Sequence, residues 1–189
     1  MKKNNKKIIA VIGMSGAGKT EAVKYLLDKL KCPRIYFGEF TFERMKNEGL
    51  ELNYKNERKT REKIREELGM GAYAILALPK IQQALKTSNT VILESLYSWE
   101  EYKIIKTKYK DSFKVLTIIA SPDLRFARLT KRKKERPIKN RQEFDTRNYT
   151  EIEKTDKGGP IAMADFNIIN EGTRKTFYQN LDLIIKKLK

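Results

Sequence analysis

Short apolar runs bounded by polar or turn-forming residues recur at 7–12, 34–37, 90–93, 113–120 and 166–169. Rich in Ile and Val, they predict five strands of a buried sheet. Between them lie helical patterns over about 19–30, 41–48, 57–86, 98–109, 122–134, 140–155 and 173–188. This alternation implies an α/β fold of three layers, a mainly parallel five-stranded sheet with helices on both faces. In such sheets ligands bind at the carboxyl ends of the strands. The stretch 131–145 is highly charged and almost free of apolar residues, so it is not core, and a lid is expected over about 129–150. A helical region at about 38–88 is expected to hold substrate, within one domain spanning 1–189.

The first strand runs directly into Gly13-Met14-Ser15-Gly16-Ala17-Gly18-Lys19-Thr20, a complete G-x-x-x-x-G-K-[ST] phosphate-binding loop. The placement matters as much as the match. A strand must deliver the chain to a glycine-rich turn, and a helix must start just after it, so that backbone N–H groups converge on polyphosphate. Ala22, Val23, Leu26, Leu27 and Leu30 supply that helix with an apolar face. In this geometry all eight loop residues cradle ATP, Lys19 reaches the β- and γ-phosphates, and the Thr20 hydroxyl takes a position on Mg²⁺. Together these features predict the P-loop NTPase fold.

Composition narrows the chemistry. A chain of 189 residues fits one domain, and no apolar run approaches the roughly 20 residues that span a bilayer. The basic opening followed by apolar residues mimics a signal peptide, but its apolar part leads straight into the phosphate loop, so a soluble, cytoplasmic protein is expected. The single cysteine, Cys32, suits a reducing compartment. The chain has no histidine, which removes Ser-His-Asp and Cys-His schemes and leaves positioning, Mg²⁺ and fixed positive charge. The net charge of +17 invites a nucleic-acid reading, yet the lysines are scattered along the chain. Arginine is instead concentrated, with six of twelve at 125, 128, 132, 136, 141 and 147 and three more at 58, 61 and 65. Two such clusters suggest two places where phosphate is held by planar, bidentate donors.

Strand-end acids complete the candidate site. Glu94 closes the third strand beside the phosphate loop, where a carboxylate holds Mg²⁺ or orients a nucleophile. Glu39 follows the second strand into the same crevice and is a candidate for contact with substrate and for catalysis. Arg58, Arg61 and Arg65 share a helix face, and Arg65 is favoured for substrate binding, although neighbouring glutamates make a salt-laced helix an equal reading. Arg128, Arg132 and Arg147 are the candidates for neutralising the transferred phosphoryl group, while Arg125 pairs more readily with an acid. Tyr97 and Trp99 are placed either on a base or in packing.

With these residues assembled, the chain resembles the dephospho-CoA kinase-like branch of the nucleoside monophosphate kinase group within the P-loop kinases, and in particular a largely archaeal set of nucleotide-kinase-like proteins. The likeness is carried by residues 11–20, Phe37-Gly38-Glu39, Ala120-Ser121-Pro122 with 125–129, and residues 163–172. It implies transfer of the ATP γ-phosphoryl group to a small nucleotide-like acceptor, either a nucleoside monophosphate or dephospho-CoA. It also implies that the Asn170–Gly172 turn lies near the adenine and that the helix holding Arg147 closes from the lid side. Two departures stand out. Glu39 and Glu94 replace the Asp common in such relatives, and Ser95-Leu96-Tyr97-Ser98-Trp99 replaces a Gly-containing turn. A nucleic-acid-associated P-loop protein, either an end kinase or a regulatory ATPase, is the alternative, and an ATPase without an acceptor is the third reading.

Overall fold

The computed structural model describes residues 6–132 and 137–188. Five strands form one sheet, β1 (Lys7–Ile12), β2 (Arg34–Tyr36), β3 (Thr90–Glu94), β4 (Phe113–Ile119) and β5 (Phe166–Ile169), in the order β2-β3-β1-β4-β5. All four pairings are parallel. Every predicted run is therefore a strand, and the sheet is the doubly covered core of the P-loop NTPase fold. The register places Val11 opposite Glu94, and Glu94 opposite Tyr36, so the carboxyl ends of β1, β3 and β2 lie side by side.

Strand alternation divides β1 between two cores. Ile8, Ala10 and Ile12 face one cluster with Tyr73, Ala77, Ile81, Tyr102 and Ile105, from α4 (Ala72–Thr87) and α5 (Trp99–Tyr109). Ile9 and Val11 face the other, with Val23 and Leu26 of α1 (Lys19–Leu30) and Phe177 and Leu181 of α9 (Arg174–Leu188). A central strand buried on both faces reads as a continuous apolar run, which is why the period-2 pattern is invisible in 7–12. Among the described residues no helix is long and apolar enough to cross a membrane.

The helices depart from their expected bounds for local reasons. The 57–86 pattern is two helices, α3 (Tyr54–Leu68) and α4, because Gly69 takes φ 78° as the C-cap and the chain turns before Ala72. Within α4, Pro79 is tolerated because it sits on the exposed side, and the carbonyl it leaves unbonded belongs to exposed Ile75. The second helix, α2 (Gly38–Asn47), begins earlier than 41. Helix α6 (Pro122–Thr130) stops short of 134, and a short α8 (Gly158–Ala162) appears where no pattern announced one. Helix α7 (Arg141–Glu153) is capped by the Asn140 side chain and packs Phe144 on Leu129 and Ile138. Arg136 lies outside the described residues.

Candidate active site

The 13–20 loop leaves β1 and turns into α1 without a side-chain cap, so the first-turn amides are available to an anion. Two of its glycines are dictated by close approach. Gly13 has φ +136°, and a Cβ there would collide with the Ile118 carbonyl oxygen of β4. Gly18 has φ +109°, and its Cβ would occupy the space of the Asn170 side-chain amide. The Lys19 ammonium arches back to donate to the Met14 carbonyl at 3.0 Å. Burial, with the Lys157 charge next, lowers its pKa well below the usual lysine value, and Arg147 and Arg132 act in the same direction against Glu151. Thr20 is exposed at the start of α1.

Glu94 ends β3 half-buried, and burial raises its pKa against the opposing charges of Arg34 and Lys19. Arg34 bridges the two strand-end acids, donating to Glu94 Oε2 at 3.2 Å and Glu39 Oε1 at 3.4 Å. The next residue, Ser95, takes φ 73°. That is a left-handed conformation favouring glycine, so the turn here keeps the geometry of a Gly-containing one with a side chain imposed on it.

Beyond these acids a pocket opens between α2, α3 and α4, lined among others by Tyr36, Thr41, Arg61, Arg65, Tyr73 and Tyr97. The arginine triplet divides accordingly. Arg58 pairs with Glu62 on the exposed side and Arg61 pairs with Glu57 at 2.5 Å, whereas Arg65 lies 5.5 Å from the Tyr73 ring centroid with its buried Nε lacking a hydrogen-bond partner. Behind the pocket, wholly buried Glu101 closes a capping box, with Oε2 accepting from the Tyr97 and Ser98 amides at 2.7 and 3.1 Å. Its Oε1 has no partner. Burial pushes the carboxyl up to about 7, despite those amides and the Arg65 charge. An acid raised on folding binds more protons in the native state, so its contribution is full below the unfolded value and is lost as pH rises toward 7. Glu101→Gln is therefore expected to be more stable than wild type at pH 8, by roughly 1–3 kcal/mol. It should also flatten the loss of stability between pH 5 and 7, as read by urea midpoints across pH.

Helix α7 delivers a second charged group to the phosphate loop. Glu151 Oε1 accepts from the Ser15 hydroxyl at 2.6 Å and lies 3.5 Å from Arg147 Nε, and Oε2 accepts from the Lys157 ammonium at 2.6 Å. Burial opposes ionisation of Glu151, but the charge and hydrogen bonds of Lys157 and Ser15 outweigh it and hold the carboxyl near 2. Arg132 follows α6 half-buried and contributes to the field at Lys19.

The other α6 arginines hold backbone. Arg125 is buried on Asn148 Oδ1 at 2.7 Å, the Ser15 carbonyl and the Ala120 carbonyl. Arg128, a candidate for phosphate contact, donates its guanidinium here to the carbonyls of Gly16 and Ala17 at 3.4 Å and of Asn170 at 2.8 Å. Asn170 in turn donates its side-chain amide to Ala17 at 2.8 Å, tying the 170–172 turn to the loop, while Gly172 is exposed. Trp99 stacks on Tyr102 with centroids 5.0 Å apart and packs against Gly159, so it serves packing, whereas Tyr97 lines the pocket.

A sequence profile described as an AAA domain matches residues 12–145. A UPF0200 protein of Pyrococcus abyssi is 33% identical over 182 residues, covering 96% of both chains. One of Methanocaldococcus jannaschii is 34% identical over 181 residues, covering 96% of this chain and 90% of its own. The chain belongs to the UPF0200 family of AAA-domain proteins. Among solved structures, a shikimate kinase from Bacteroides thetaiotaomicron superposes with TM-score 0.61 at 20% identity, over 96% of this chain and 98% of its own. A gluconokinase from Sinorhizobium meliloti gives 0.55 at 14% identity, over 99% and 97%. At such identities the UPF0200 chain shares with these kinases a fold.

Four residues at this UPF0200 site escape a reading by motif. Arg34 begins a strand, Glu101 hides in a capping box, and Glu151 and Lys157 are brought in by tertiary packing. Only the Ser98-x-x-Glu101 spacing carried a local signal, and that signal reports a helix start.

Proposed function

We propose that the protein moves the γ-phosphoryl group of ATP, with Mg²⁺, onto a small nucleotide or nucleotide-like acceptor. The observation that carries this reading is the pairing of two anion-binding halves on one sheet edge. The 13–20 loop lies at the end of β1, the Arg61 and Arg65 pocket lies beyond β2, and Glu94 ends the strand between them. A donor bound in the first half and an acceptor in the second meet at Glu94. Burial keeps that carboxyl basic enough to accept a proton from an attacking hydroxyl. Arg132 and Arg147 supply cations from the lid side, and Arg128 holds the loop against the 170–172 turn, which suits contact with adenine. That shikimate kinase and gluconokinase share the fold supports a small-molecule acceptor.

Thr20 offers a hard oxygen donor beside the loop, and Glu94 reaches the ion through water, which leaves its carboxylate oxygens free to act as base. That fits Mg²⁺, which is commonly held by few protein oxygens together with substrate phosphates. When bound, the ion neutralises charge on the β- and γ-phosphates.

The test is ATP consumption across nucleoside monophosphates and dephospho-CoA, with products identified by mass. Acceptor-dependent ADP formation with a phosphorylated product is expected. ATP binding without any acceptor effect would overturn the reading in favour of an ATPase or a nucleic-acid-associated protein. Arg65→Ala is expected to raise the acceptor KM about 10- to 100-fold, the size of one charged hydrogen bond, with ATP affinity unchanged. A parallel loss of ATP affinity would remove Arg65 from the acceptor half.

A further inference from the structure

Lys157 is the residue before α8, in a stretch that matches no motif, and its side chain is only 2% exposed. Burying an ammonium costs several kcal/mol unless it is well paired. Its ion-pair partner is Glu151, whose carboxylate is already engaged by Ser15 and lies near Arg147. Ser15 belongs to the phosphate loop, so Glu151 sets an anionic oxygen against the mouth of the cradle. The charges of Lys157, Arg147 and Arg132 all act on Lys19 of that loop. On its other side the Lys157 ammonium stands 4.5 Å from the centroid of Tyr97, a ring that lines the acceptor pocket. Lys157 therefore touches the donor half through Glu151 and the acceptor half through Tyr97.

We propose that Lys157 is a cation of the transfer centre, held by Glu151 while no donor is bound and passed to the donor's γ-phosphoryl oxygens when they displace that carboxylate. The inference rests on the ATP-dependent reading above and adds to it a contacting residue and an internal competitor for the phosphate. The exchange is of ion pairs alone. The ammonium keeps its proton, and Glu151 leaves as a carboxylate toward Arg147 and Ser15.

Calorimetric titration with ATP and with ADP separates this role from a structural one, because only ATP carries the γ-phosphoryl group. Glu151→Gln removes the competitor and is expected to tighten ATP about 10-fold with ADP within about 2-fold, the scale of one close charge pair. Lys157→Met is expected to weaken ATP about 10-fold relative to ADP on the same scale. Because that variant strands a buried carboxylate, the double variant Lys157→Met/Glu151→Gln is measured beside it and is expected to show the same lost preference in a stable fold. ATP and ADP shifting together, or neither shifting in Glu151→Gln, would overturn the proposal even if both lysine variants failed to fold. A wild-type protein that binds no ATP would instead overturn the underlying reading.

Discussion

Lys19→Ala is expected to lower phosphoryl transfer by roughly 100- to 1000-fold, the range for removing one preorganised donor from a developing charge. The fold should survive it. The Lys19 ammonium is desolvated and crowded by Lys157, Arg147 and Arg132, and it donates to a loop carbonyl, that of Met14. Removing it relieves repulsion, so the thermal midpoint is expected to hold or rise. The same crowding explains why the residue suits its role, since a bound polyanion is what makes four neighbouring cations favourable in a desolvated site. Turnover and thermal unfolding on one preparation decide the matter. Normal turnover would remove the loop from the chemistry, and a large fall in midpoint would reassign Lys19 to structure.

Glu94→Gln is expected to cost about 100-fold in kcat with a hydroxyl acceptor, within the usual range for a general base. The pH profile is the sharper readout. Burial raises the Glu94 pKa in the free protein, so the active ionised form is lost as pH falls through that raised value, and wild-type kcat/KM should decline on the acid side. In Glu94→Gln that acid limb should vanish, leaving a low, flat rate. A variant keeping the limb would assign it to another group. An acceptor whose attacking oxygen is a phosphate needs no base, and a loss below about 5-fold would point to that class.

The strands were legible because each is an uninterrupted apolar run between turn residues, and Gly13 to Thr20 was legible because its chemistry is local in the chain. Helix limits were harder. A 3.6-residue period continues through Gly69 to Gly71, and only the backbone reveals that Gly69 ends one helix. The arginines show the same limit at the site. Spacing placed Arg58, Arg61 and Arg65 on one face, but which of them meets solvent, a glutamate or a pocket depends on how α3 lies against α2 and α4. Arg128 and Arg65 look alike as letters. One donates to three carbonyls while the other keeps a buried Nε without a partner. Glu151 meets Ser15 only through the fold, 136 residues along the chain, and Lys157 joins them through Glu151.

The brace from Arg128 to Gly16, Ala17 and Asn170, closed by the Asn170 amide on Ala17, also bears on the timing of events. Two segments about 150 residues apart in sequence are clamped into one body before any ligand arrives. Donor capture then requires almost no chain ordering, and its association rate should be set by diffusion and charge. A slow step in a stopped-flow trace would belong to the mouth of the phosphate loop, after the encounter, where Glu151 has to let go of Lys157.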